Sequence, residues 1–159
     1  MSNNDVIIYT DGSSRGNPGP GGYGIVMEDC KTGFSKQYSK GFQNTTNNRM
    51  ELLAVIDALK KLKKTKLKIT VFTDSKYVVD SVEKKWVFKW KVIGFKNKKN
   101  VDLWLEFLKL HELNNISFKW IKGHNNHLQN EICDKLAYKA SENKILSVDE
   151  GYEQKNKLF

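Results

Sequence analysis

Val6-Ile7-Ile8-Tyr9-Thr10-Asp11 and Ile69-Thr70-Val71-Phe72-Thr73-Asp74 are two apolar, β-branched runs that each end in an aspartate. Runs of this kind read as buried strands, and in open α/β sheets ligands collect beyond the carboxyl ends of the strands. Parallel neighbours would lie about 4.8 Å apart, so their terminal carboxylates would repel each other unless a cation sat between them. A hard divalent ion answers that repulsion, because Mg²⁺ takes oxygen ligands from a few carboxylates, water and phosphate.

Two further acids join the pair. In Met50-Glu51-Leu52-Leu53-Ala54-Val55-Ile56-Asp57-Ala58-Leu59, helical spacing sets Glu51 in line with Val55, Ala58 and Leu62. That is an apolar stripe, which a solvated glutamate avoids. Asp134 opens a helical pattern with Leu136, Ala137 and Ala140, behind an Asn126/Gln129 capping box. Both acids are expected near helix amino termini, where the macrodipole favours negative charge. Each acid alone has an ordinary reading: Asp11 and Asp74 as turn residues, Glu51 as the partner of an Asn48 cap, Asp134 as a helix-start acid. Four together, at two strand ends and on two apolar helix faces, point to one metal site.

Around these residues the patterning predicts an α/β fold with a five-stranded mixed sheet and helices on both faces. Strands are expected at about 5 to 11, 22 to 29, 34 to 43, 67 to 73 and 116 to 121, with the turn Asp29-Cys30-Lys31-Thr32-Gly33 closing a hairpin. Helices are expected at 47 to 63, after Asp74, at 101 to 111 and at 127 to 142. No internal repeat or linker interrupts the pattern, so residues 1–159 are read as a single domain. The tail after Asn143 reads as loose, apart from docking by Ile145, Leu146 and Tyr152.

With 27 Lys plus Arg against 18 Asp plus Glu, the chain carries a formal charge of +9, which favours a polyanionic partner. The surplus is concentrated. From Lys84 to about residue 100 there is no acid, and lysines alternate with Trp86, Phe88, Trp90 and Phe95 in a basic handle suited to tracking phosphates and stacking on bases or sugars. No apolar run reaches the roughly 20 residues of a membrane span, and Met1-Ser2-Asn3-Asn4-Asp5 lacks the parts of a signal peptide, so no membrane partner and a cytoplasmic location are expected. Cys30 and Cys133 lack zinc-ligand spacing and are expected to be buried thiols. The glycine-rich run Gly16-Asn17-Pro18-Gly19-Pro20-Gly21-Gly22 lacks the Lys-Ser/Thr of a P-loop. Its use would be close approach of backbone amides to a sugar-phosphate chain.

The runs Tyr9 to Gly24, Thr45 to Leu52, Thr73 to Val78, Asn100 to Trp104, Trp120 to His124 and Asn130 to Ala137 closely resemble ribonuclease H of type 1, in the right order over nearly the whole chain. The resemblance implies a monomeric endonuclease that cuts the RNA strand of an RNA/DNA hybrid with two Mg²⁺ ions, Mn²⁺ being a possible substitute, and leaves 5′-phosphate and 3′-hydroxyl ends. It implies Asp11, Glu51, Asp74 and Asp134 as metal ligands, with Asp11 bridging and Asp74 beside the attacking water. His124 would assist proton transfer or product release.

For substrate, the resemblance implies Gly12, Asn17, Asn47, Asn48 and Lys76 near the minor groove and the RNA 2′-hydroxyls. Thr46 and Asn100 would hold a DNA phosphate, and Lys85, Trp86, Lys89 and Trp90 would form the handle contacts. Two departures stand out. Asn44 occupies the position of an arginine in the family's phosphate pocket, and Lys76 replaces a common glutamine, so it donates but cannot accept. Phe95 stands where a third tryptophan is common. Two other classes fit part of the pattern: a hybrid-binding module without catalysis, which the handle alone would support, and a DNA-cutting relative among integrases and resolvases.

Overall fold

The computed structural model describes residues 3–123 and 127–155. In chain order the elements are β1 (Val6–Ser14), β2 (Gly19–Asp29), β3 (Ser35–Thr45), α1 (Asn47–Lys60), β4 (Lys68–Thr73), α2 (Lys76–Glu83), α3 (Trp86–Val92), α4 (Val101–His111), β5 (Asn115–Trp120), α5 (Leu128–Ser141) and α6 (Glu150–Lys155). The five strands form one sheet in the order β3-β2-β1-β4-β5. β1 runs antiparallel to β2 and parallel to β4, in a register that pairs Val6 with Ile69 and Tyr9 with Phe72. The same offset carried two residues further brings Asp11 level with Asp74, as the two matching runs require.

Side chains alternate across a sheet, and here the two faces are covered by different helices. A Cβ on Gly12 would lie 2.5 Å from the backbone of Met50 and Glu51 in α1. On Gly24, which pairs with Asp11, it would lie 2.3 Å from the Cys133 carbonyl oxygen in α5. Any larger residue at either place would push a helix off the sheet. The α1 face is packed by Ile8, Ile25, Ile69 and Val71 of the sheet against Met50, Leu52, Val55 and Ile56, with Trp104 and Phe107 of α4 fully buried beside them. Burying one such aliphatic or aromatic side chain contributes about 1.5–3 kcal/mol.

The structure corrects several expectations. β1 continues to Ser14 and β2 begins at Gly19, because the glycines from 19 to 24 pair in the sheet instead of forming a long loop. α1 stops at Lys60, and its cap is Thr46, whose hydroxyl accepts from the Arg49 N–H at 3.3 Å. Glu51 therefore lies one turn inside the helix and is not the partner of an Asn48 cap. α5 is capped by His127, whose Nδ1 accepts from the Asn130 N–H at 3.3 Å. Asp134 accordingly lies in mid-helix, beyond the reach of the dipole argument. Asn126 lies outside the described residues. Cys133 is buried as expected, but Cys30 is exposed on the hairpin turn. Phe95 is buried and joins the core instead of the handle surface.

The tail is held in place as far as it is described. Ser147 bridges to Phe42 of β3, and Leu146 lies against Gly41. Ile145, by contrast, is 91% exposed and docks nothing. The anchor is Asp149, 5% exposed: it accepts from Thr45 Oγ1 at 2.7 Å and from Arg49 Nε and Nη2 at 2.7 and 2.9 Å. The other edge of Arg49 meets Asp102 of α4 in a bidentate pair at 2.9 and 2.7 Å. An ion pair of this kind was hidden because its members stand far apart in the chain. No described helix is long and apolar enough to cross a membrane.

Candidate active site

Asp11 is set by the sheet, one residue before the close approach of β1 to α1 at Gly12. That approach brings Glu51 alongside, and β4 delivers Asp74 just beyond its last residue, Thr73. Carboxylate oxygens of Asp11, Glu51 and Asp74 all lie within 4.8 Å of one another. Asp11 and Glu51 are 7% and 8% exposed, so the cluster is built largely out of reach of bulk water. The Gly12 N–H donates to Asp11 Oδ1 at 2.9 Å, whereas Glu51 Oε1 is buried without a partner among the described residues. Asp134 lines the same cleft from α5 but stands outside the close group of three.

The electrostatics follow from that packing. Burial first, then repulsion from Asp74 and Asp134, pushes the Asp11 carboxyl up to about 8. Glu51 is raised as well, by burial and then by Asp11 and Asp74. Buried carboxylates that raise one another are held in opposition to their own ionisation. A divalent cation removes that opposition by supplying the missing positive charge.

Lys76 also lines this cleft. Its ammonium lies 4.7 Å from the centre of the Trp120 ring, whose indole N–H donates to the Asp74 carbonyl oxygen at 3.0 Å. A cation held on that ring is near the carboxylates without pairing to them. Gly123 lies against the Asp74 carboxylate, since a Cβ there would be 2.7 Å from Oδ2. His124 follows it in the chain but lies outside the described residues.

The remaining site residues fall into two linked groups. Ser14 N–H donates to Asn47 Oδ1 at 2.6 Å, and the Asn47 N–H donates to Asn17 Oδ1 at 3.1 Å, which ties the β1–β2 turn to the start of α1. Asn17, Thr46, Asn48 and Asn100 line one polar cleft together with Pro18, Arg49, Lys99 and Tyr152. Asn100 has φ of 62° and its side chain bonds Arg49 at 3.4 Å and the Tyr77 hydroxyl at 3.1 Å. Asn44 does not line this cleft, so Lys99 is the exposed cation that borders it.

Trp86 and Trp90 share a shallow groove with Asn48, Tyr77, Lys98 and Asn100, so the handle meets the polar cleft directly. Trp86 is 39% exposed, whereas Trp90 is half-buried against Trp104 with Lys98 4.9 Å above its ring. Lys85 and Lys89 are exposed on the handle but line neither groove. Sequence reasoning placed Lys99 in the handle rather than at this cleft, and missed Arg49, Tyr77 and Asp149. None of these left a local signal, Arg49 included, since two residues from Glu51 it points to a different side of the helix.

Fold and site define a class of α/β proteins with a buried carboxylate cluster where the central parallel strands end. The family model for RNase H matches residues 3–142, and the chain belongs to that family. Ribonuclease H of Desulforamulus reducens is 49% identical over 150 residues, covering 91% of this chain and 92% of the relative. That of Rippkaea orientalis is 47% identical over 155 residues, covering 94% and 93%. Among solved structures, LC9-RNase H1, a type 1 RNase H with the type 2 active-site motif, has a TM-score of 0.79 at 32% identity and covers 99% of this chain and 83% of its own. LC11-RNase H1 in complex with RNA/DNA hybrid has a TM-score of 0.63 at 27% identity, covering 92% and 99%.

Proposed function

We propose that this chain is an endoribonuclease that hydrolyses the RNA strand of RNA/DNA hybrids, with Asp11, Glu51, Asp74 and Asp134 holding divalent metal. The observation that carries this reading is the buried triad of Asp11, Glu51 and Asp74 on an RNase H fold. The residues suit such an ion: all donors are hard oxygens, and Glu51 Oε1 is buried with no other partner. We take the metal to be Mg²⁺, two ions per site, with Mn²⁺ able to replace it. When bound, it supplies charge stabilisation at the phosphate and a water more acidic than bulk water.

The chain's own groups do the rest. Asp11, central to the cluster, holds charge shared with both neighbours, while Asp74 orients the nucleophile on the side where Gly123 leads to His124. His124 carries a proton, since an imidazole exchanges one near neutrality. Asn17 and Asn47, whose amide oxygens accept from Asn47 and Ser14, offer N–H donors, and Asn48 offers a donor and an acceptor, to 2′-hydroxyls, the group that separates RNA from DNA. Thr46, Lys99 and Asn100 face the DNA strand's phosphate, and Trp86 and the handle lysines hold the backbone beyond it. The protein acts as a monomer in the cytoplasm.

The test is cleavage of labelled hybrid, duplex RNA and duplex DNA side by side, with and without EDTA. The hybrid alone should be cut, only in the arm without EDTA, giving 5′-phosphate and 3′-hydroxyl ends. Cleavage of duplex DNA would favour the integrase-like reading, and binding without cleavage the non-catalytic module.

Two substitutions separate chemistry from affinity. His124→Ala should slow turnover roughly 10 to 100 fold, at or below the low end of general acid–base contributions, and calorimetry should show unchanged Mg²⁺ binding. Changing Lys84, Lys85, Lys89 and Lys91 together to Ala should raise the Michaelis constant at moderate salt and leave saturated turnover alone. Each lost phosphate contact should flatten the log-log salt dependence by about 0.7 to 0.9. A wild-type salt slope in that variant would remove the handle from the substrate.

A further inference from the structure

We propose that Trp120 is a positioning residue whose ring holds the Lys76 ammonium clear of the metal-binding carboxylates and keeps it for the RNA strand's phosphates. This rests on the reading of the carboxylate cluster as the metal site of a hybrid-cutting enzyme. Trp120 ends β5, which runs parallel to β4, and it pairs with Thr73, the residue before Asp74. The Ile121 N–H donates to the Thr73 carbonyl oxygen at 2.9 Å, and the Trp120 indole N–H donates to the Asp74 carbonyl oxygen at 3.0 Å. Ring and acid are therefore fixed to the same strand end. Trp120 is nonetheless 44% exposed, so its ring is available to a side chain from a neighbouring element.

Lys76 supplies that side chain. It is the first residue of α2, directly after the Ser75 cap, and it lines the cleft with Asp11, Glu51, Asp74 and Asp134. The amino end of a helix disfavours a cation, so the helix is not what holds the ammonium there. Four carboxylates share its cleft, yet among the described residues none lies within ion-pair distance of it. The ammonium instead lies 4.7 Å from the centre of the Trp120 ring. A cation over an exposed tryptophan gains about two- to fivefold in occupancy, enough to compete with a partly exposed ion pair of similar strength.

The placement matters because an ammonium competes with divalent metal for the same charge. Released from the ring, Lys76 is drawn to the carboxylates and offsets charge that a divalent ion would otherwise balance. Held on the ring, it leaves the acids to the metal and remains a point charge for an incoming phosphate. That partner suits an ammonium better than the two-way contact that a hydroxyl and a base edge ask for.

The test is a double-mutant cycle on the full-length protein, read by calorimetry of Mg²⁺ binding without substrate and by the Michaelis constant for a labelled hybrid. Trp120→Leu should weaken Mg²⁺ binding about two- to fivefold. In a Lys76→Gln background the same change should have no effect. Trp120→Phe, which keeps a ring and loses the indole N–H, should stay near wild type. Lys76→Gln should raise the Michaelis constant and flatten its log-log salt dependence by about 0.7 to 0.9. The proposal is overturned if Trp120→Leu leaves Mg²⁺ binding unmoved, if it weakens binding equally in both backgrounds, if Trp120→Phe matches Trp120→Leu, or if Lys76→Gln keeps the wild-type salt slope. A wild type that binds no Mg²⁺ would overturn the metal reading itself, and this inference with it.

Discussion

Asp11→Asn abolishes metal-dependent hydrolysis of the hybrid and, in metal-free alkaline buffer, yields a protein more stable than the wild type. The loss of activity follows from position, since Asp11 belongs to the close triad and its carboxyl is also raised by Asp134. The gain in stability follows from sign. In the folded protein the Asp11 carboxyl is raised from 3.8 to about 8 by burial, Asp74 and Asp134. A raised acid contributes stability that is fully present below its unfolded value, near pH 4, and is lost as pH climbs through about 8. Above that, the ionised wild type carries a penalty on the order of a few kcal/mol, which the neutral amide does not. Thermal melts at pH 5 and pH 9 in EDTA should show a wild type that weakens with pH and a variant that weakens less. Mg²⁺ should restore the wild type and leave the variant nearly unmoved. Turnover near the wild-type rate in Mg²⁺ would take Asp11 out of the site.

Arg49→Ala should destabilise the protein by about 3–5 kcal/mol, the cost of stranding a buried ionic partner. For a chain of this size that corresponds to a fall in Tm on the order of 10 °C. Burial alone would make Arg49 easier to deprotonate, but its bonds to Asp102 and Asp149 outweigh this and hold it charged. Removing the guanidinium leaves Asp149 buried beside Thr45 with a single hydroxyl donor from a side chain. Asp102 is half-exposed and can turn to water, so Asp149 carries most of the effect. Urea denaturation of Arg49→Ala, Asp149→Ala and the double variant gives the coupling. The double variant should be less destabilised than the two single losses added together; strict additivity would mean that Arg49 and Asp149 act independently.

Much of this arrangement was legible in the chain because its signals are local. The Asp11 and Asp74 runs have matching length and pattern, and strand patterning alone put their ends side by side. Glu51 gave itself away as an acid on the same face as Val55 and Ala58. What stayed hidden depends on long-range packing. Nothing in Asn47-Asn48-Arg49 says that the cap is Thr46 and the cation is turned inward, because its partners lie beyond residue 100. Asp134 looked like a helix start because the true cap, His127, is an uncommon residue for that role. The tail looked loose because it is polar, yet Asp149 is polar for the sake of Arg49.

The bond from Ser14 to Asn47 and from Asn47 to Asn17 has a consequence for recognition. Turn and helix are locked to each other before any substrate arrives, so Asn17 and Asn47 form a rigid edge. Association then sacrifices little local freedom, since ordering of loops and side chains is a large part of what binding ordinarily costs. With that edge against the hybrid as proposed, shape would add to the 2′-hydroxyl contacts: a helix of another groove width would find no adaptable turn there to meet it.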